Sequence, residues 1–319
     1  MISTVSSFAL VQDGLAAVER TLAETAQPDH PLLGPMLSMV LPGSGKRLRP
    51  ALAFLTGRLG TYDPERLLNM ATGVELLHGA SLVHDDVVDE SDRRRGAQTL
   101  FTRVGNALAV LVGDYLFAQS ATRCVATGDV RVIGLFAQTL ASMCQGQIEE
   151  ASRGSSPHLT LTREAYYQTI WGKTASLFVL ACEGSAILAG LPESGIQAMR
   201  RYGDRLGLAF QVVDDILDYI GDEAHLGKPV GGDLRQGTIT LPVICLRELM
   251  PDAEYRAAFA SDDIAALIEM VRVSPAIERA QAEADTLLTE AREALQHVPA
   301  GPARDALESL THYVVERRV

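Results

Sequence analysis

PERLLNMATGVELLHGASLVHDD, residues 64–86, is the stretch whose reading decides the fold. Leu67, Met70, Ala71, Val74, Leu77 and Ala80 recur at three-to-four spacing, the period of a buried helix face. The same period runs through 105–125, 132–151, 206–219 and 276–296. Alternating strand patterns bounded by Asn-Gly or Asp-Gly turns are scarce. Pro and Gly cluster near 27–35, 41–50, 153–158, 190–194, 221–237 and 298–302, which read as loops between helices. None is long enough for a domain linker, and no fixed-period repeat is present. The expected architecture is all-α: a single domain over residues 1–319, a bundle of long helices around a deep central cavity.

Composition narrows the function. Of 319 residues 47% are hydrophobic, ample for a core, while aromatics at 5% are too few for base-stacking platforms. A formal charge of -12 argues against a nucleic-acid partner. Cys124, Cys144, Cys182 and Cys245 are scattered, without C-x-x-C pairs or histidines at metal-finger spacing, so a reduced, cytoplasmic setting is expected. The start, MISTVSSFALVQDGL, has no basic region and an early Asp13, unlike a signal peptide. The longest apolar stretch, near 175–191, is broken by Glu183 and Gly184 and reads as a buried helix, so no transmembrane segment is expected.

Two acidic clusters end apolar helical runs: Asp85-Asp86-Val87-Val88-Asp89 and Asp214-Asp215-Ile216-Leu217-Asp218. Residues four apart share a helix face, so Asp85 points with Asp89 and Asp214 with Asp218; Asp86 and Asp215 sit roughly 100 degrees round. Bare carboxylates on apolar helices are costly and repel one another. Divalent cations remove both problems, and Mg²⁺ takes one or two carboxylates plus substrate phosphates and water. One such cluster reads as readily as a solvated helix end; two favour a metal-bound diphosphate. An EF-hand is excluded, because neither cluster has alternate-residue acids around a central Gly.

Cations accompany the acids. Gly45-Lys46-Arg47-Leu48-Arg49-Pro50 packs three into a Gly/Pro-bounded turn that suits phosphate recognition, although it lacks the Walker A spacing. Arg93-Arg94-Arg95-Gly96 follows the first acidic cluster, and His78 lies two helical turns before Asp85 on a similar face. Metal-binding and phosphate-binding groups thus alternate within a few residues.

In this arrangement the chain resembles the trans-isoprenyl (polyprenyl) diphosphate synthases. ELLHGASLVHDDVVDESDRRRG (75–96) is similar to their first aspartate-rich region and GLAFQVVDDILDY (207–219) to their second. GSGKRLRP (43–50), LVGDYL (111–116), GKTASLF (172–178), LGKPVGGDLRQGTITLP (226–242) and YVVERR (313–318) also match, in family order and across nearly the whole chain. The resemblance implies the isoprenoid synthase type of helical fold and a magnesium-dependent prenyltransferase, which condenses isopentenyl diphosphate with an allylic diphosphate. By resemblance, Asp85, Asp86 and Asp89 hold Mg²⁺ and through it the allylic diphosphate. Asp214 and Asp215 hold further Mg²⁺, with Asp218 as ligand or support, about three ions per site in all. Arg94, Lys173 and Lys228 contact the allylic diphosphate. Thr174 and Gln211 sit near the developing cation. Lys46, Arg49, His78 and Arg95 bind the diphosphate of isopentenyl diphosphate, with Arg47 in the same basic pocket and Arg317 and Arg318 closing over it. A homodimer is implied too.

Departures from the family pattern are small: Ser44, Gln98 and Gly232 replace commoner residues, and Arg93 adds a third arginine. In the resembling family, bulky residues just before the first cluster block the product channel. Here Ala80 and Ser81 are small, so the product expected is a polyprenyl diphosphate of about thirty to fifty carbons. Close helix packing is the other explanation of the small pair, and a floor could come from 107–117 or 140–144 instead. Geranylgeranyl diphosphate synthesis is the runner-up. A non-catalytic partner subunit is disfavoured because both acidic clusters are whole, and a terpene cyclase because it would not need the isopentenyl-binding set.

Overall fold

A computed structural model describes residues 8–41, 47–94, 96–152, 161–221, 230–261 and 263–316. The described residues are almost wholly helical. In chain order the helices are α1 (Gln12–Thr25), α2 (Leu33–Val40), α3 (Leu48–Gly57), α4 (Pro64–Val88), α5 (Leu100–Val104), α6 (Asn106–Ala126), α7 (Val130–Ala151) and α8 (Arg163–Ile170). There follow α9 (Ser176–Leu188), α10 (Glu193–Ile220), α11 (Gly232–Arg235), α12 (Leu241–Leu249), α13 (Asp252–Ala260), α14 (Ile264–Val273), α15 (Ala276–Ala294) and α16 (Pro302–Glu316). Two-residue strands β1 (Arg93–Arg94) and β2 (Ala97–Gln98) pair antiparallel between α4 and α5, with Arg93 opposite Gln98. Contacts group the chain into two compact units: residues 1–140, 177–203 and 294–310, and residues 141–176, 204–293 and 311–319.

In the first unit α4 is the spine. Pro64 opens it, and the Asp63 carboxylate accepts from the Glu65 and Arg66 amides at 3.1 Å, satisfying two orphan donors of the first turn. Leu67, Met70, Ala71, Val74, Leu77 and Ala80 are all buried, as the period of the sequence predicts. Against α6 the contact is close: Ser120 Oγ donates to the Gly73 carbonyl at 2.6 Å. The periodic stretch at 206–219 is the C-terminal half of the longer α10. Its first half, ESGIQAMRRYGDR, buries Ile196, Met199 and Tyr202 at three-residue spacing while Arg200 and Arg201 point outward, so the charges mask the period in the sequence. Two stretches read as loops contain short helices, α2 starting at Leu33 and α11 at Gly232.

In the second unit, Thr162 caps α8 by accepting from the Ala165 amide at 3.1 Å. Arg163 reaches Glu248 at 2.7 Å and also pairs with Glu283, whose other oxygen accepts from Tyr167 Oη at 2.6 Å. Between α8 and α9 the helix widens to a π-helical turn over Trp171–Ala175. Gly172 allows it, because a Cβ there would stand 2.6 Å from the Ser142 carbonyl oxygen. Among the described residues no helix is long and apolar enough to cross a membrane. The apolar run near 175–191 is instead the buried α9.

Candidate active site

The C-terminal half of α4 presents a partly exposed stripe that includes Glu75, His78, Ser81 and Asp85, and it continues to the exposed Asp89 at the helix end. The predicted alignment of His78 with the acids is therefore met. Asp86 lies off the stripe and is buried; its Oδ1 accepts from Arg94 Nε at 2.7 Å. Burial pushes the Asp86 carboxyl above the ordinary range, and the Arg94 guanidinium partly offsets this. The β1–β2 hairpin thus carries Arg94 back to the first acidic cluster.

Arg47 is the left-handed residue (φ 46°) that precedes α3, and its guanidinium is engaged inside the protein. It meets Glu19 and Glu75, each at 2.5 Å, and the Leu41 carbonyl at 3.2 Å. Burial lowers its proton affinity, and the two carboxylates more than restore it. The Arg49 guanidinium stacks 4.8 Å above the Phe178 ring, a cation–π contact. Ala80 is fully buried, while Ser81 is partly exposed and its Oγ donates to the His78 carbonyl at 2.9 Å. Lys46, Arg95, Lys228, Arg317 and Arg318 lie outside the described residues.

In the second unit, Lys173 and Thr174 sit side by side on the π-helical turn, both partly exposed. Lys173 Nζ pairs with Glu150, and Thr174 Oγ1 donates to Gln211 Oε1 at 2.8 Å. Gln211 and Asp214, three apart on α10, share a partly exposed face. Asp215 and Asp218 are buried. Asp215 accepts from Tyr166 Oη at 2.6 Å and from Gln211 Nε2 at 2.8 Å. Burial pushes its carboxyl well above the ordinary range, Asp233 and Asp214 add to this, and the two hydrogen bonds oppose it. Asp218 Oδ2 accepts from the Asp233 amide at 3.0 Å, and its carbonyl accepts from the Gly231 amide, so it anchors the turn into α11. A cleft of about 590 Å³ on this unit is lined by Ser142, Glu149, Tyr167, Trp171 and Asp204 among others, but by none of Lys173, Thr174, Gln211 or Asp214.

Among the described residues no three carboxylate, imidazole or thiol groups converge on one point as a closed metal cage. The donor set is of another kind: the carboxylates of Asp85, Asp89 and Asp214 on partly exposed faces, with cationic Arg94 and Lys173 nearby in their respective units. That fits Mg²⁺, which needs only one or two carboxylates when phosphate oxygens and water complete its octahedron. Sequence reasoning missed Tyr166, Glu150 and Glu75 as partners. Asp233 lay within a quoted motif without a role. Tyr166 is 49 residues from the Asp215 it touches, and no local pattern joins them.

The chain matches the family described as polyprenyl synthetase over residues 30–268. It belongs to the polyprenyl synthetase family. Heptaprenyl diphosphate synthase component 2 of Geobacillus stearothermophilus is 38% identical over 97% of this chain and 98% of its own. The decaprenyl diphosphate synthase of Rhodobacter capsulatus superposes with a TM-score of 0.91 at 35% identity, covering 99% of each chain. A polyprenyl synthase from Caulobacter crescentus, crystallised with calcium and isoprenyl diphosphate, gives 0.91 at 34% identity over 99% of this chain and 98% of that one. With these relatives the chain shares the all-α isoprenoid synthase fold.

Proposed function

We propose that this polyprenyl synthetase is a magnesium-dependent, long-chain trans-prenyltransferase that condenses isopentenyl diphosphate with an allylic diphosphate. The observation that carries the reading is the end of α4, where Asp85 and Asp89 share a partly exposed stripe with His78 while Arg94 returns to the buried Asp86. Long-chain products are supported by the small Ala80 and Ser81 and by likeness to heptaprenyl and decaprenyl synthases.

In this reading Asp85, Asp89 and Asp214 hold Mg²⁺ against the allylic diphosphate, with Asp86, Asp215 and Asp218 fixing their helices. Bound there, the metal supplies stabilisation of the charge that develops on the departing pyrophosphate. Arg94, Lys173 and Lys228 add fixed positive charge to the same leaving group. His78, Arg49, Lys46 and Arg95 hold the second diphosphate, so the double bond of isopentenyl diphosphate is positioned to attack the allylic carbon. Oxygens of Thr174 and Gln211 face the electron-poor carbon. Released pyrophosphate takes the proton lost on forming the new trans double bond, so no covalent enzyme intermediate is needed.

We take the chain to act as a single polyprenyl synthase domain. Four free cysteines, three of them buried, fit a reducing, cytoplasmic setting. A homodimer is supported by the exposed Leu108, Val110, Leu111 and Val125 on α6. The deciding experiment incubates purified protein with Mg²⁺, farnesyl diphosphate and labelled isopentenyl diphosphate and sizes the extracted chains. Long products that vanish with a chelator and return with Mg²⁺ support the proposal. A stop at geranylgeranyl diphosphate refutes the long-chain part, and no elongation by a protein that light scattering finds monomeric points to a partner subunit.

A further inference from the structure

The prenyltransferase reading assigns Thr174 and Gln211 to the reacting carbon but leaves open what fixes their orientation, and the inference below rests on that reading. A four-member hydrogen-bond chain supplies the answer. Tyr166 Oη donates to Asp215 Oδ2 at 2.6 Å, Gln211 Nε2 donates to Asp215 Oδ1 at 2.8 Å, and Thr174 Oγ1 donates to Gln211 Oε1 at 2.8 Å. Tyr166 and Asp215 are buried, at 2% and 3% exposure, whereas Gln211 and Thr174 are partly exposed.

Direction is the informative property. An amide side chain can turn over, and a hydroxyl hydrogen can rotate, so Gln211 and Thr174 alone fix no polarity. An ionised carboxylate only accepts. Asp215 receives one hydrogen on each oxygen, so the Gln211 NH₂ faces it and Oε1 faces away. That carbonyl oxygen then takes the Thr174 hydrogen. The exposed end of the chain therefore presents oxygen lone pairs and no hydrogen. Lone pairs fixed in advance stabilise a developing positive charge without reorganising during the reaction. Were the amide reversed, Thr174 would turn its hydrogen outward, a positive dipole end towards a cation.

We propose that Tyr166 and Asp215 are positioning residues: the Tyr166 hydroxyl holds Asp215 as a double acceptor, and Asp215 sets the sense of Gln211 and Thr174 so that only oxygen lone pairs face the allylic carbon. The geometry asks no metal ligation of Asp215.

The test compares wild type, Tyr166→Phe, Thr174→Val and their double variant, with kcat and the KM for isopentenyl diphosphate measured under saturating Mg²⁺. Tyr166→Phe is expected to lower kcat about tenfold and leave KM within about twofold. In the double variant the Phe change should add less than about twofold to the Val change, because both act through one chain. Asp215→Asn, equal in shape, reverses the sense of the chain and should lower kcat more than Tyr166→Phe. It serves as the readout if the Phe variant folds poorly. Full kcat in both Tyr166→Phe and Asp215→Asn overturns the inference, as does a double variant whose loss is the product of the single losses. Failure of wild type to elongate would instead remove the prenyltransferase reading on which it rests.

Discussion

Replacing Gly113 by Ala tests the packing that holds the first acidic cluster. Gly113 is buried on α6, and a Cβ built there stands 2.1 Å from His84 Nε2 and 2.3 Å from Cδ2. His84 immediately precedes Asp85. Its ring lies edge-on to Phe117 at 5.1 Å, its Nε2–H donates to the Val110 carbonyl at 3.1 Å, and Asp114 approaches to 3.6 Å. The LVGDYL motif thus forms a notch that the imidazole fills. In an ordinary helix interior, Gly to Ala stabilises by about 1 kcal/mol. Here the methyl group must displace the ring, and overpacking with loss of a hydrogen bond costs about 2 kcal/mol. The net expectation is destabilisation of about 1 kcal/mol, a fall in Tm of roughly 2 to 4 °C. With His84→Ala in place the collision is gone, so Gly113→Ala should then stabilise by about 1 kcal/mol. Denaturant titration of the four proteins reads the change of sign. If Gly113→Ala stabilises to the same degree with and without the imidazole, the notch has no energetic meaning and the reasoning fails.

Glu183 gives a pH prediction. It is buried, and its carboxyl is pushed above the ordinary 4.5 by burial, partly offset by Arg200 at 3.5 Å and by Arg131. A folded-state pKa above the unfolded one means that stability is greatest below the unfolded pKa and is lost as pH rises through the folded pKa. Glu183→Gln should therefore raise Tm at pH 7 to 8, with the gain closing towards pH 4.5; a gain unchanged with pH would discard the buried-charge explanation. Ala80 and Ser81 separate channel from packing. Ser81→Phe, on the partly exposed stripe, should shorten the product, while Ala80→Phe at a fully buried site should cost about 2 kcal/mol by overpacking. Sizing of extracted products and thermal melts decide, and a short product from Ala80→Phe alone would reverse the assignment.

The spine helix and both acidic clusters were legible because their signals are local. A three-to-four period, a capping Asp63 before Pro64 and a DDxxD spacing all lie within one or two turns. What could not be read is which carboxylate faces where and what it touches. The period places Asp86 and Asp215 about 100 degrees from their neighbours, but burial of that face depends on packing. The partners are Arg94 through a two-residue hairpin, Tyr166 from α8 and the Asp233 amide beyond residues 222–229. Arg47 teaches the same lesson from the other side. In sequence it is one of three cations in a phosphate-like turn, whereas in the fold Glu19 and Glu75, each 28 residues away, hold it.

The two clusters share a sequence pattern, yet their geometry differs. In each, the second aspartate is buried and held by one strong donor, Arg94 Nε at 2.7 Å for Asp86 and Tyr166 Oη at 2.6 Å for Asp215. The last aspartate separates them. Asp89 ends α4 and stays exposed, whereas Asp218 lies inside α10 and spends an oxygen on the Asp233 amide. The first cluster therefore offers two carboxylates on accessible faces, Asp85 and Asp89, and the second offers Asp214. Mg²⁺ binds well through one or two carboxylates when phosphates supply the rest, so both arrangements are serviceable, but they are not interchangeable. Crowding three ionised groups on one accessible face would raise their pKa values and weaken each as a ligand. Turning the second aspartate inward, against a cation in one cluster and a phenol in the other, keeps the accessible charge low while the buried carboxylate fixes the helix that presents it.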